Sequence, residues 1–575
     1  MNTARQPLPV RARFGLLATT AAVGLTLASP PGLAGQGFGS VEQTSHGTKA
    51  GATLVESFDG LGVGFSGPQG SGRGGNPSDN SLAVGRNHIV QIENGRGMSV
   101  FTKRGKRFDT TGRVLYGPVR ANNVFKGFGG NCEARNSGDV VVRYDQLADR
   151  WLIVMPLFSR GPARPDQPVG GHAGDPAQVS VPGVPGQPGP AMPLYHPPAV
   201  PSVDPTAATQ PAGRAPQARE PSSPLGPYSM CYAVSSTPDP TGPYYRYEFL
   251  RAYFPDYPRP AIWPDGYYVP TSTSDNRISA TVATQKHACV ADRLKMLKGE
   301  PATEQCLILE NVNFLNNADM DGKRLPPAGA PNIMLAAGGQ QLDTIFEDSV
   351  INVWKFHVDW LLPARTTVTG PERIAVAPYH YLCDGQLTAC VPQPGSERRL
   401  DAQGDKLMAR VVYRRIGNRE SIVAAHSVNT AVGGGGVRWY EFRVETNRNV
   451  VLHQQGTYAP DGFYRWLPSP AMDKFGNIGI GYSFGGTPNF AGQRFAGRLA
   501  GDPLGRLTLR ETLLAEGEAA DGDPKRVGVQ RWEDYTQTAV DPVDDCTIWY
   551  VGDYVKKGAS GYSSRVGAFR MTGCK

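Results

Sequence analysis

Outside one proline-rich stretch, apolar and polar residues alternate along this chain with a period of two. MSVFTKRG, VVVRYDQLADRWLIVM, INVWKFHVDW, SIVAAHSV, RWYEFRV and IGIGYSF all carry the pattern, with Gly, Asn and Asp between them. Period two sends successive side chains to opposite faces of an extended strand, and the intervening residues are those that turn a chain. Helical periodicity is scarce; ADRLKMLKG after Cys289 is the best short candidate. The chain reads as all-β.

Seven stretches share one plan: a small or acidic residue, an alternating strand, a tight turn and a second strand. They are SDNSLAVGRNHIVQIENGRGMSVFTKRG, NSGDVVVRYDQLADRWLIVMPL, YPRPAIWPDGYYVPTS, APNIMLAAGG, GDKLMARVVYRRIGNRESIVAAHS, SPAMDKFGNIGIGYSFGG and EDYTQTAVDPVDDCTIWYVGDY. With Ser81, Asp139, Pro258, Asn332, Asp405, Ala471 and Tyr535 as markers, units recur about every sixty residues once residues 161–226 are set aside. Repetition on that scale predicts a single β-propeller of about seven four-stranded blades. After Tyr535 only 40 residues remain, enough for three strands. An open blade edge invites aggregation, so the missing strand is assigned to GLGVGFSG, residues 60–67, and an N-terminal strand closes the ring. Tandem β-sandwich domains are the alternative. They require a linker near mid-chain, and the one linker-like segment lies earlier.

That segment, residues 161–226, holds 17 of the 50 prolines and nine glycines. It has too little apolar surface to offset its ordering entropy and is expected to be disordered and dispensable for folding. The alternative role is a tether. His172 and His196 lie inside it and are weak ligand candidates.

Arg5, Arg11 and Arg13, the apolar run Phe14–Ala28, and Gly32 and Ala34 at cleavage-site spacing predict a signal peptide over residues 1–34. Residues 35–55 read as a flexible lead-in and 56–575 as the propeller. No later apolar run is long enough to span a membrane. Loss of three arginines and no acids takes the net charge from +7 to +4. With no Lys/Arg block of five or more, nucleic acid is excluded as a partner. Export, to the medium, periplasm or cell surface, makes an extracellular polysaccharide or peptide the expected partner of a monomeric protein.

Eight cysteines in an exported chain predict disulfides. Short loops close at least entropic cost, which pairs Cys383 with Cys390, Cys289 with Cys306 and Cys546 with Cys574. Cys132 and Cys231 remain for each other. No Cys-x-x-Cys pair supports a metal site.

Several longer phrases carry a resemblance: SDNSLAVGRNHIVQIEN, GDVVVRYDQLADRWL, CYAVSSTPDPTGPYYRYEF, FPDYPRPAIWPDGYYV, CVPQPGSERRLDAQGDKLMARVVYR, AMDKFGNIGIGYS and RWEDYTQTAVDPVDDCTIWY. Over residues 56–574, the proline-rich stretch excepted, the chain resembles a family of exported bacterial β-propeller-like proteins with no assigned function. The resemblance implies an extracellular propeller-like β domain and carries no catalytic residues across. SDNS stands where a proline is expected after the Asp, and Arg-Trp-Glu-Asp-Tyr where a glycine is expected before the Asp.

For chemistry, Asn317, Asp319 and Asp321 followed by Gly322 match the first half of a calcium loop. Ala328 stands where the bidentate Glu belongs, and an Asx-rich turn is the alternative. Asp541, Asp544 and Asp545 read as an acidic turn. Acids also recur near the unit starts: Asp79, Asp139, Asp256, Asp405, Asp473 and Asp534. In a propeller they would either fix turns or converge on a central funnel, where paired carboxyls serve glycosidic cleavage. Asp405 and Asp534 are the preferred catalytic carboxyls, with Tyr535 beside them. Tyr257, Trp263, Trp466 and Trp532 are candidate sugar-stacking faces. His88, His357 and His426 fall within strands and are expected to be packed or turn-bonded. The leading functional expectation is polymer binding through one face. A glycoside hydrolase or polysaccharide lyase is the second, and an adhesive surface protein the third.

Overall fold

A computed structural model describes residues 41–72, 74–160, 179–181, 227–251, 253–271, 285–310, 312, 314–338, 349–385, 387–559 and 561–574. The expected signal peptide over residues 1–34 and most of the proline-rich stretch lie outside the described residues. Within that stretch, Val179–Val181 pairs antiparallel with Glu304–Cys306.

The described chain is all-β and builds seven successive four-stranded antiparallel meanders. The first runs through Asn80–Val84, His88–Glu93, Gly97–Thr102 and Val114–Val119. The second uses Val141–Asp145, Arg150–Pro156, Tyr228–Ser235 and Tyr244–Arg251. The third uses Ala261–Trp263, Gly266–Tyr268, Gln285–Ala291 and Glu304–Glu310. The fourth is Asn316–Asp321, Asn332–Ala337, Val350–His357 and Thr367–Ala375. The fifth is Val411–Ile416, Arg419–Asn429, Gly435–Val444 and Val450–Tyr458. The sixth is Tyr464–Met472, Ile478–Gly486, Asn489–Arg498 and Thr512–Ala515. The seventh has Gln537–Val540, Ile548–Tyr554 and Ser563–Arg570. Its fourth strand is Thr53–Gly62, paired antiparallel with Ser563–Arg570. The fourth strand of this sheet therefore comes from the N-terminal side but starts seven residues before the expected Gly60. Of the lead-in read as flexible, Glu42–Gln43 pairs in parallel with Thr457–Tyr458.

The first strands of successive sheets are neighbours in chain order, and that of the seventh returns to that of the first. A polar side chain on one first strand repeatedly takes an N–H from its neighbour. Val142 N donates to Ser81 Oγ at 2.9 Å, Ile262 N to Asp319 Oδ1 at 2.9 Å and Thr538 N to Ser469 Oγ at 2.9 Å. Edge N–H groups that would template pairing are thereby satisfied. Apolar clusters fill the spaces between sheets; Trp151, Trp263, Trp439, Trp466 and Trp532 are all fully buried.

All four disulfides form as paired: Cys132–Cys231, Cys289–Cys306, Cys383–Cys390 and Cys546–Cys574. They place the chain in an oxidising compartment. No helix among the described residues is long and apolar enough to cross a membrane.

The fourth unit differs from expectation. Its marker Asn332 lies on the second strand, and the first is the segment Asn316–Asp321 that read as a calcium loop. Residues at i, i+2 and i+4 share one face of a strand, so alternating ligands and an alternating strand look alike in sequence. Here the strand prevails.

Candidate functional site

The chain enters its first strands through a recurring strained backbone. Asp79, Asp139, Tyr257, Gln403, Leu467, Glu533 and Asp534 all have positive φ, between 47° and 66°. A non-glycine residue held there costs about 1–3 kcal/mol. Six of the seven units show it at or near the start of the first strand.

That geometry turns the unit-start acids inward. Asp79, Asp139, Asp256 and Asp534 meet in one cluster, each within electrostatic reach of the others. Asp139 Oδ2 accepts from the Tyr257 backbone N–H at 3.0 Å, and Tyr257 Oη donates to the Asp534 carbonyl at 2.6 Å. Arg531 donates to Asp534, and Gln403 Nε2 donates to Asp534 Oδ1 at 3.2 Å and to Asp401 Oδ2 at 2.8 Å. Asp405 is fully buried and accepts from Lys406 Nζ at 2.7 Å. Lys406 Nζ also lies 5.1 Å above Tyr257 and 4.4 Å above Phe314. Five of the six unit-start acids therefore converge. The sixth, Asp473, makes a turn instead, accepting from the N–H groups of Phe475 and Asn477.

Burial raises the proton affinity of several of these carboxyls. Burial first, then the neighbouring Asp139 and Asp534, drives Asp79 well above the ordinary carboxyl range. Burial and Asp256 do the same to Asp139. Asp256 is raised by burial and Asp534, and Asp401 is pushed up to about 6 by the same two causes. Burial opposes the charge on Arg531, yet Asp534 and Asp401 hold it above its usual range. Burial brings Lys286 down to about 7 against the pull of Asp256 and Asp405. Tyr535 is buried and raised, by burial first and then by Asp139 and Asp79, and its Oη has no hydrogen-bond partner.

The acids most displaced are Asp79 and Asp139. The sequence reading named both but preferred Asp405 and Asp534, which have cationic partners. The missing signal was local: Lys406 and Arg531 sit one and three residues from the acids they hold.

Further along the first strands, a cavity of about 30 Å³ is lined by Arg143, Gln146, Asp319, Asp321, Arg410 and Gln537. It has room for about two waters. Arg410 Nε donates to Asp319 Oδ2 at 2.8 Å and its Nη2 to Asp321 Oδ1 at 2.6 Å. Arg143 Nε stands 3.3 Å from Asp319, and burial brings its guanidinium down to about 10. Asn317 Nδ2 donates to Asn332 Oδ1 at 2.8 Å. A guanidinium thus occupies the place expected for calcium, because two strand carboxylates facing inward need a buried countercharge.

The tryptophan expectation is corrected. Trp263, Trp466 and Trp532 are core residues; Trp263 Nε1 donates to Ala330 O and Trp532 Nε1 to Ser483 Oγ. Wide apolar rings gain more from burial than from solvent exposure. Asp541 and Asp544 accept turn N–H bonds from Val543, Cys546 and Thr547, as an acidic turn requires. His88 and His426 are buried, with His426 Nε2 2.9 Å from Tyr440 Oη; His357 ends its strand exposed.

No protein-family model and no curated protein matches the chain. Among solved structures it is similar to a leech intramolecular trans-sialidase complexed with 2,7-anhydro-Neu5Ac, at 10% identity over 76% of this chain and 67% of that one, with a TM-score of 0.35. It is also similar to an ulvan lyase of a new polysaccharide lyase family, at 9% identity over 86% of this chain and 95% of that one, again with a TM-score of 0.35. Neither likeness assigns this chain an activity.

Proposed function

We propose that this is an exported seven-bladed β-propeller that cleaves an extracellular polymer, a carbohydrate, by general acid–base chemistry where its first strands begin. The propeller reading is supported by seven four-stranded meanders whose first strands neighbour one another in order and return to the start. The N-terminal strand on the seventh sheet supports closure, and the resemblance to exported propeller-like proteins agrees with it.

One observation carries the chemistry: Asp139, a carboxyl whose proton affinity burial raises, stands beside Asp534, a carboxyl that a guanidinium holds. Divergent environments around neighbouring acids are what separate a proton donor from a base. In this reading Asp139, protonated beside Asp79, gives its proton to the leaving oxygen. Asp534, bonded by Arg531 and Gln403, is the second carboxyl, and Tyr535 lines the same space. Asp405 is a positioning residue that fixes Lys406 against Tyr257.

Binding without cleavage is the second reading. It is favoured by burial: Asp79, Asp139 and Asp534 are only 1%, 7% and 8% exposed, and the rim is formed by Asp256 and Arg531. The test is a screen of the mature protein against polysaccharides and peptides, read for both retention and product release. Product release that disappears in Asp139→Asn supports the enzyme. Retention without product, unchanged in that variant, leaves a binding protein whose acids are structural.

A further inference from the structure

The acid cluster contains a charged group with nothing to hold. Arg259 is 4% exposed, and its Nε, Nη1 and Nη2 all lack a hydrogen-bond partner. Its guanidinium lies flat on the Tyr257 ring, 3.6 Å from the centroid, which fixes its plane and leaves its N–H edge free. Burial brings Arg259 below its ordinary range, against the pull of Tyr257, Tyr535, Asp139 and Asp256. Tyr535 Oη, beside it, is also unpartnered, and its ring meets Tyr257 edge-on at 5.3 Å. Asp79, beside Tyr535, shares a carboxyl–carboxyl hydrogen bond with Asp139, and neither of its oxygens takes an amide, hydroxyl or cationic donor.

Unsatisfied donors and acceptors therefore face one small region. Leaving a buried polar group unpaired costs about 1–3 kcal/mol, and more for a charge. A ligand that satisfies all three needs an anionic acceptor for Arg259 and hydroxyl donors for Asp79. A metal cation is disfavoured by the guanidinium. A neutral sugar would leave the guanidinium charge uncompensated, and sulfate would bring no donors to Asp79.

We propose that Arg259, Tyr535 and Asp79 form a subsite for a carboxylate-bearing sugar unit, with Arg259 taking the carboxylate and Asp79 the ring hydroxyls. Arg–carboxylate pairing uses the planar fork in a two-bonded arrangement, which a buried site orients well. Asp256 and Arg531 are the partly exposed members of this cluster. This inference rests on the carbohydrate reading above and names the substrate class.

The test is calorimetric titration of the mature protein with D-glucuronate, D-glucose, acetate and sulfate, each as a separate probe. Glucuronate is expected to bind at least about tenfold more tightly than the other three. In Arg259→Met, glucuronate should fall by about 10- to 100-fold, to the level of glucose, and Arg259→Lys should be intermediate. Melting curves establish that each variant is folded; should Arg259→Met fail to fold, the four-probe comparison on the natural protein and Arg259→Lys decide. The inference is overturned if glucose matches glucuronate, if acetate or sulfate matches it, if no probe binds, or if Arg259→Met binds it unchanged. The two proposals fail separately. Polygalacturonate retained without product sinks the enzyme and leaves the subsite. Cleavage of a neutral polymer that ignores Arg259→Met sinks the subsite and leaves the enzyme.

Discussion

Two buried acid clusters flank the junction between the seventh and first sheets, and they are built on opposite plans. One is the axial cluster of Asp79, Asp139, Asp256 and Asp534. The other is a seam cluster of Glu93, Glu533 and Asp553. At the seam the acids meet neutral donors. Tyr562 donates to Glu93, Ser483 and the Asp553 N–H donate to Glu533, and Asn80 Nδ2 donates to Asp553 Oδ1 at 2.6 Å. Burial pushes Glu93 and Glu533 up to about 8. Glu93 and Glu533 sit protonated at neutral pH, and hydroxyls and amides supply most of the bonding at the seam, with Asp553 Oδ2 left without a partner. The axial acids instead face Arg259, Lys406 and Arg531, with several polar atoms left unpartnered. The junction is shared: the Asp79 N–H donates to the Glu533 carbonyl at 2.7 Å. A satisfied polar network stiffens a fold, whereas an unsatisfied one beside charges is where a ligand belongs.

The widest separation between the clusters should appear in activity. Asp139→Asn is expected to lower turnover on the screened substrate by about 10²–10⁴-fold, with little change in melting temperature. Glu533→Gln should leave turnover within about twofold, because it lies outside the site. Equal losses would erase the distinction between the clusters.

Within the axial cluster, paired and unpaired acids should part company in stability. Asp405→Asn removes a charged partner of a fully buried Lys406, which also donates to Gln403 Oε1, and should cost about 3 kcal/mol, read by denaturant unfolding. Asp79→Asn removes a carboxyl that no amide, hydroxyl or cationic donor holds and should cost less than half as much. The reverse order would mean that Asp79 is the structural member.

The seam predicts a dependence on pH. Glu93 and Glu533 are raised from 4.5 to about 8 in the folded protein. Their stabilisation is therefore fully present below about pH 4.5 and is lost as pH rises through about 8. Unfolding at pH 6–7 should release about two protons from these two acids, beyond those released by Asp79, Asp139 and Asp553, and the denaturation midpoint should fall between pH 5 and pH 8. A midpoint that rises over that range would show that these acids are ionised in the fold.

The smallest effect expected is that of Glu533→Gln on stability at pH 5. A neutral amide replaces a neutral acid, so the cost should be under about 1 kcal/mol while the pH slope flattens. A loss of several kcal/mol would mean that the carboxyl carries a charge the neighbouring donors were holding.

Several features were legible in the chain because they are local. Alternation set the strands, since period two follows from extended backbone geometry whatever surrounds it. Short cysteine spacings set three disulfides through loop-closure entropy, and elimination left the fourth. The shortfall after Tyr535 pointed to a strand added from the N-terminal side, and Thr53–Gly62 pairs with the last strand. The acids at the unit starts recur visibly in the chain, and five of the six converge in the fold. What the tertiary structure alone decided is which partner each charge meets. Asn317, Asp319 and Asp321 look like ligands until Arg410, about ninety residues away, is brought against them. Trp263, Trp466 and Trp532 look like sugar platforms until neighbouring sheets cover them. Asp405 and Asp79 are alike in sequence, yet one is held by Lys406 and the other shares a hydrogen bond with Asp139 and takes no cationic donor. Burial and countercharge are properties of the closed packing, and no window of sequence contains them.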